Sequence, residues 1–215
     1  MIISSLLLTA SGLGATTSSM WQVDPPTVPE GKELHLGIPL FTSVPAESIH
    51  SFNVLHYTLD IWFPMDTNYI DGTSTILCES RQTDLDSILL HCVTLNVDSI
   101  LIGGKPLPYT LGAGNLYVDL DTLLQLYDTF EVKVFYNGYP GQPDTIGYYW
   151  FSDAGGMPET TAYTMTEPSD SRYWFPCYDE PWDKADMGCN INVEVPAGYV
   201  VASNGLLMSV DTVGP

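Results

Sequence analysis

The sequence predicts an all-β protein whose mainly antiparallel strands form a sandwich or layered sheets. Short runs that alternate apolar and polar residues recur along residues 51–215, turn residues separate them, and helical periodicity is almost absent. Hydrophobic residues make up 45% of the 215 residues and charged residues 15%, a balance typical of a chain with one folded core. No internal repeat is visible, so a propeller or a solenoid is disfavoured.

The first fifty residues differ from the rest of the chain. Residues 1–20 contain an apolar run that is too short to span a bilayer and that resembles the core of a secretory signal, although the usual charged start is missing. The alternative is a disordered or partly ordered N-terminus. Residues 21–50 are rich in proline and aperiodic, which predicts an extended lead-in. We therefore expect a secreted or periplasmic protein whose β domain spans residues 51–215.

The predicted strands follow closely on one another from residue 55 onward. Leu55, Tyr57, Leu59, Ile61 and Phe63 alternate with the residues of a second face, which predicts a half-buried strand. Residues 120–128 are predicted to form a helical turn. Further strands are predicted within residues 73–80, 87–97, 98–120 (two strands around a Gly-Gly turn), 129–138, 148–152, 162–168, 190–196 and 198–205.

The charge of the chain is strongly one-sided. Asp and Glu number 26 and Lys and Arg number 6, for a formal net charge of −20. Such a field repels phosphate backbones and anionic lipids, so nucleic acid and membrane surfaces are disfavoured as partners, and no membrane span is expected.

Four cysteines leave two alternatives open. Cys78 and Cys92 flank a turn-like segment, and a disulfide between them could join neighbouring antiparallel strands, whereas buried thiols are the other common outcome. Cys177 and Cys189 form a less favoured pair. The sequence contains no CxxC, no Cys/His cluster with zinc spacing and no HExxH motif, so we expect no metal site in this chain.

The densest stretch is "SRYWFPCYDEPWDKAD", residues 171–186. Its carboxylates are calcium-type ligands, but the stretch lacks the alternating Asp/Asn pattern and central Gly of a loop-type calcium site. Cys177 has no histidine within eighty residues of sequence to act as its base, so a buried thiol is favoured over a nucleophile. The carboxylates considered as calcium ligands are Asp179, Glu180, Asp183 and Asp186.

The favoured interpretation of this stretch is structural. Its prolines restrict the backbone, and Trp174, Phe175 and Trp182 are expected to supply apolar packing. An ion-pair network is expected to fasten the loop to the sheet. Its proposed members are Glu167, Arg172, Asp179, Glu180 and Lys184.

"TEPSDSRYWFPCYDEPWDKA" followed by "NINVEVPAGYVVASNG" closely resembles the N-terminal domain of zinc aminopeptidases of the aminopeptidase N family. The upstream stretches "HYTLDIWF", "YIDGTSTI" and "FEVKVFYNG" also fall in the family's order, and the resemblance covers about residues 50–207. The residues that carry the family motif are Arg172, Phe175, Pro176, Cys177, Asp179, Glu180, Pro181 and Lys184.

The resemblance implies a saddle-shaped β domain that packs on a thermolysin-like catalytic domain, its main partner. In the family, zinc is held there by HExxH and a later Glu, and peptides lose their N-terminal residues. This chain ends before those elements, so by itself it is expected to be inactive, with no catalytic residue and no cofactor of its own.

One family function is implied for residues of this chain. A Gln-x-Glu run in the family helps to bind the α-amino group of the peptide substrate, and it corresponds here to Met165, Thr166 and Glu167. Glu167 matches, and Met165 departs from the Gln. A carboxylate offsets the desolvation of an ammonium group that enters a cleft. The competing interpretation is that Glu167 pairs only with Arg172.

A second class of function is a free-standing exported β-sandwich that binds a ligand or a partner. Exposed aromatic residues would then form its binding patch, although packing in the core is favoured for most of them. The candidates for such a patch are Tyr148, Tyr149, Trp150 and Trp182.

Overall fold

The computed structural model describes residues 6–10, 16–24, 50–141, 147–151, 160–166 and 169–213. These residues form fifteen β-strands and one 3₁₀ turn, Ser171–Tyr173. The strands are β1 Leu6–Ala10, β2 Thr16–Val23, β3 Phe52–Trp62, β4 Ile70–Ser80, β5 Leu85–His91, β6 Leu95–Ile102, β7 Lys105–Pro106, β8 Tyr109–Gly112, β9 Asn115–Leu124, β10 Thr129–Gly138, β11 Gly147–Phe151, β12 Thr161–Met165, β13 Cys189–Val195, β14 Tyr199–Ser203 and β15 Leu206–Val213.

The strands form three sheets. An eight-stranded sheet has the order β15-β2-β13-β3-β4-β10-β6-β7, a four-stranded sheet the order β11-β12-β1-β14, and a three-stranded sheet the order β5-β9-β8. Among the described strands, β13 and β3 run parallel and the other pairs are antiparallel. The predicted all-β class with mainly antiparallel, layered sheets is confirmed.

One apolar core joins the three sheets, because the buried side of each sheet faces it. Along β13, buried residues such as Ile191 and Val193 alternate with partly exposed ones. This is the period of two expected for a strand with one solvent-exposed face. The core cluster also includes Ile88 from the three-stranded sheet and Tyr148 from the four-stranded sheet. The ring of Tyr148 stacks on that of Phe63 at a centroid distance of 6.2 Å.

Three element predictions are wrong. Residues 98–120, predicted to hold two strands around a Gly-Gly turn, contain the end of β6, the strands β7 and β8, and the start of β9. Residues 87–97 form two strands, β5 and β6, which belong to different sheets, because the chain leaves one sheet at Cys92 and enters the other at Leu95. Residues 120–124 continue β9, and a turn follows at Leu126 and Tyr127 in place of the predicted helical turn. The buried alternation of Leu116, Val118 and Leu120 extends the strand, whereas Leu123 and Leu126 are exposed.

The N-terminal residues enter the sheets. β2 lies between β13 and β15, and β1 lies between β12 and β14. Residues 25–49, most of the predicted lead-in, lie outside the described residues, so the division into signal, lead-in and β domain stays a prediction. Across the described ranges, no helix is long and apolar enough to cross a membrane.

The structure shows buried free thiols at all four cysteines, in place of the Cys78–Cys92 disulfide. Cys78 lies on β4 in the eight-stranded sheet, whereas Cys92 follows β5 of the three-stranded sheet, so the two strands are not the neighbours that the sequence spacing implied. The Cys92 thiol donates to the Leu95 carbonyl at 3.7 Å, and burial raises the pKa of Cys92 to about 11.

Candidate functional site

The segment 171–188 is fastened to the sheets at both of its ends. Near its start, backbone hydrogen bonds join His91 and Cys177 in both directions, at 2.7 and 3.1 Å, and Val93 N–H donates to the Arg172 carbonyl. Near its end, Met187 N–H donates to the Leu55 carbonyl at 2.7 Å. The motif that the sequence singled out is therefore a brace between the β5–β6 connection and β3.

A buried ion pair forms the centre of this brace. Arg172 Nε donates to Asp179 Oδ2 at 2.9 Å, and Arg172 Nη2 donates to the Asp179 carbonyl at 2.7 Å. The Asp179 side chain is fully buried, whereas the Arg172 side chain is 24% exposed. Burying a carboxylate is costly unless a hydrogen-bonded cation compensates it, so the two residues depend on each other.

His91, the last residue of β5, contacts this ion pair from outside the brace, and the sequence analysis did not identify it. Its Nδ1 accepts a hydrogen bond from the Asp179 backbone N–H at 3.1 Å, which places the ring proton on Nε2 in the neutral form. Burial, and after it the nearby Arg172 charge, lower the pKa of His91 to about 4, although the Asp179 charge acts in the opposite direction. The two residues lie 88 positions apart, and no spacing in the sequence signals their contact.

This geometry predicts a loss of stability in mild acid. The pKa of folded His91 lies below the ordinary value of 6.5, so the unfolded chain takes up the proton first as the pH falls from about 6.5 to about 4. Wild-type protein should therefore lose on the order of 1 to 2 kcal/mol of its free energy of unfolding between about pH 7 and pH 5 through this group. His91→Gln should lose correspondingly less, as measured by urea unfolding. Parallel pH profiles of the two proteins would contradict the prediction.

Glu180 and Lys184, the other described members of the expected ion-pair network, do not pair with Arg172 or Asp179. Glu180 faces His91, with Oε1 3.6 Å from Nε2, instead of Arg172. Lys184 is exposed and makes no ion pair with a described residue. Trp174 and Phe175 are buried as expected, but Trp182 is 57% exposed and stacks on His50 at 5.8 Å.

Two other chemical roles weighed for the segment have no support in its geometry. Cys177 is buried, and its burial, together with the Asp179 charge, raises its pKa, so the thiol stays protonated and unreactive. Asp183 lies half-buried, and burial raises its pKa to about 6 despite a hydrogen bond from the Val54 backbone. Within the described ranges, no three His, Cys, Asp or Glu side chains converge to hold a metal ion.

Strands β11 and β12 carry a partly exposed surface, here called the aromatic strip, which consists of Tyr149, Phe151, Tyr163 and Met165. Tyr149 and Tyr163 pair across β11 and β12 and stack at 4.7 Å, and Phe151 lies 5.9 Å from Tyr163. Phe151 is 41% exposed and Met165 is 55% exposed.

Tyr148 is buried and belongs to the core, which removes it from the binding patch considered above. Glu167 lies outside the described residues, two positions after the end of β12.

Comparison with known proteins identifies the domain. Residues 53–213 match the family model of the peptidase M1 N-terminal domain. The membrane alanyl aminopeptidase of Manduca sexta is 27% identical over 152 residues, which cover 60% of this chain and 14% of that protein. Aminopeptidase N of Lactobacillus delbrueckii subsp. lactis is 25% identical over 166 residues, which cover 72% of this chain and 18% of that protein.

Solved structures show the same fold. An M1 zinc metallopeptidase from Deinococcus radiodurans superposes with a TM-score of 0.55 at 24% identity, over 68% of this chain and 32% of that chain. A mutant of that enzyme bound to a Tyr-Ser-Ala substrate gives a TM-score of 0.56 at 24% identity, over 67% of this chain and 32% of that chain.

The chain thus spans 14% and 18% of the length of the two curated relatives. These matches favour a peptidase domain over a free-standing binding module. The chain belongs to the peptidase M1 N-terminal domain family, the N-terminal β domain of aminopeptidase N-type metallopeptidases.

Proposed function

We propose that this domain packs on a zinc-dependent catalytic domain and forms one wall of its peptide cleft. The observation that carries the proposal is the partly exposed aromatic strip on β11 and β12. Three stacked rings and Met165 lie at the surface of a chain with 26 acidic and 6 basic residues. Contiguous exposed apolar residues of this kind mark an interaction surface.

Within this proposal, Glu167 binds the α-amino group of the peptide, and Met165 lines the cleft beside it. β12 ends at Met165 of the aromatic strip, and Arg172 of the brace is hydrogen-bonded to Asp179, so the chain is anchored on both sides of Glu167. A carboxylate at such a point compensates an ammonium group for the water that it loses on entering a cleft. The zinc would be held by residues outside this chain, and the chain alone hydrolyses no peptide.

The test compares the isolated chain with a protein that also carries the catalytic domain. Reading the coding sequence beyond residue 215 shows whether HExxH and a later Glu follow. In that longer protein, Glu167→Gln should raise KM for peptides about tenfold or more, because an ammonium contact to a charged group is lost, and should leave thermal stability unchanged.

Glu131→Gln, at an exposed position on β10, is the matched control and should leave KM unchanged. Unchanged kinetics with a lowered thermal midpoint for Glu167→Gln would show that the residue is structural. Peptide hydrolysis by the isolated 215-residue chain would overturn the proposal that the catalytic residues lie in a separate domain.

We also propose that the protein is secreted or periplasmic. The apolar run within residues 1–20 and the strongly acidic composition support this. Fractionation of the source cells tests it, and recovery of the protein only in the cytosol would overturn it.

A further inference from the structure

The outward face of the eight-stranded sheet has no partner within the described part of the chain. Along β3 and β4 the residues that point away from the core are polar or half-exposed, in contrast to the buried residues between them. Where β2, β13, β3 and β4 lie side by side, this face forms a solvent-open cavity of about 320 Å³. Its lining includes Asp60, Trp62, Asp71 and Glu194.

Trp62 lies between two of these carboxylates. The strand register places Glu194 of β13 directly beside Trp62 on one side and Asp71 of β4 directly beside it on the other. Directly paired residues on one face of a sheet have Cβ atoms about 5 Å apart, so both carboxylates lie within reach of a group stacked on the indole. Trp62 is half-buried and is among the residues that line the cavity.

The third carboxylate is already oriented by the sheet. Asn192 Nδ2 donates to Asp60 Oδ1 at 2.7 Å, and Thr73 Oγ1 donates to Asp60 Oδ2 at 3.1 Å. These neutral donors hold the carboxylate in place without cancelling its charge. Its fixed position adds a constant negative potential to the floor of the cavity.

No described cation neutralises this group of charges. The ion pairs among the described residues involve other carboxylates, namely those of Glu79, Asp179 and Glu180. Lys133, on β10 of the same sheet, has its ammonium 5.2 Å from the centre of the Phe135 ring. The cavity therefore combines one aromatic ring, three unpaired carboxylates and the field of a chain with net charge −20.

We propose that this face docks a basic segment of a partner protein and that an arginine side chain of that segment occupies the cavity. The guanidinium stacks on Trp62 and donates hydrogen bonds to Asp71 and Glu194 on either side. A planar, weakly hydrated guanidinium suits an aromatic ring flanked by carboxylates better than a compact ammonium does. The opposite charges of the cavity and the segment also speed the encounter of the two proteins. The proposal is independent of the peptide cleft, since the aromatic strip lies on the four-stranded sheet.

Isothermal titration of the 215-residue chain tests the proposal. The probe is the acetylated, amidated pentapeptide Gly-Arg-Gly-Arg-Gly, compared with its lysine counterpart and with its citrulline counterpart, which keeps the shape of arginine but not its charge. The arginine peptide should bind, the lysine peptide should bind more weakly, and the citrulline peptide should not bind. Trp62→Leu and the double variant Asp71→Asn/Glu194→Gln should each weaken arginine-peptide binding about tenfold.

A second cavity on the three-stranded sheet supplies the matched control. It is lined by Asp86 and Asp119 beside Tyr109 and Tyr117, so Asp86→Asn/Asp119→Asn removes the same charge elsewhere. This control should change the arginine-peptide affinity less than twofold, with circular dichroism showing that every variant is folded. Equal losses for the two double variants would mean that the peptide responds only to net charge, and this would overturn the proposal. Absence of arginine-peptide binding to the wild-type chain, or equal binding of the citrulline peptide, would also overturn it.

Discussion

Arg172→Met is expected to destabilise the domain by about 3 to 5 kcal/mol, as measured by urea unfolding at neutral pH. The substitution leaves the carboxylate of Asp179, which is fully buried, without its cation. The second oxygen of that carboxylate, Oδ1, is already without a hydrogen-bond partner among the described residues. The backbone N–H of position 172 still donates to Oδ2 at 3.3 Å in the variant, but this neutral donor does not replace the lost cation. A loss of this size is a large share of the stability of a typical domain.

The chain offers a matched control for this prediction. Arg81 pairs with Glu79 at 3.2 Å, but its side chain is 41% exposed, so Arg81→Met should cost less than about 1 kcal/mol. The double variant Arg172→Met/Asp179→Leu should recover part of the loss, because it removes the unpaired charge as well as its partner. Equal destabilisation by Arg172→Met and Arg81→Met would show that the brace does not depend on its ion pair.

Gly188→Ala is the second substitution with a large expected effect. Gly188 has φ +86°, and a Cβ at this position would collide with the carbonyl oxygen of Val23 on the neighbouring strand β2. The backbone conformation costs an alanine about 1 to 2 kcal/mol. Displacing the strand adds about 1 to 3 kcal/mol, as in overpacked cores. The expected result is a loss of about 2 to 5 kcal/mol in chemical unfolding, since both costs apply.

Gly104→Ala separates the two contributions. Gly104 has a similar φ of +81°, but nothing lies within 4 Å of its added Cβ. Its substitution should therefore show only the conformational cost of about 1 to 2 kcal/mol. If Gly188→Ala were no more harmful than Gly104→Ala, the close approach of β2 to this glycine would be unimportant for stability.

Local patterns predicted the strands well where one face is buried and the other is wet. The alternation along Phe130, Val132, Val134 and Tyr136 predicted β10 over residues 129–138, and the structure has the same bounds. The pattern failed at residues 87–97, where apolar residues continue through the connection between two sheets. Alternation reports which residues are buried, but not which sheet buries them.

The brace was predicted in part. Arg172 and Asp179 stand seven residues apart in a proline-rich motif, and both were expected in one ion-pair network, although their direct pairing was not singled out. Trp182 was expected to pack in the same motif, with an exposed binding patch as the alternative, and in the structure it is exposed and stacks on His50. The side-chain direction in such a loop depends on the elements that pack against it.

The sequence by itself determined the all-β class and most of the strands, because alternation is a local property of the chain, and its motif residues carried the resemblance to the family. The tertiary structure decided that His91 meets Asp179, that Cys78 and Cys92 lie on different sheets, and that Trp62 lies between Asp71 and Glu194. These contacts join residues from strands far apart in sequence. They follow from the order and register of the strands, which are set by how the three sheets share one core.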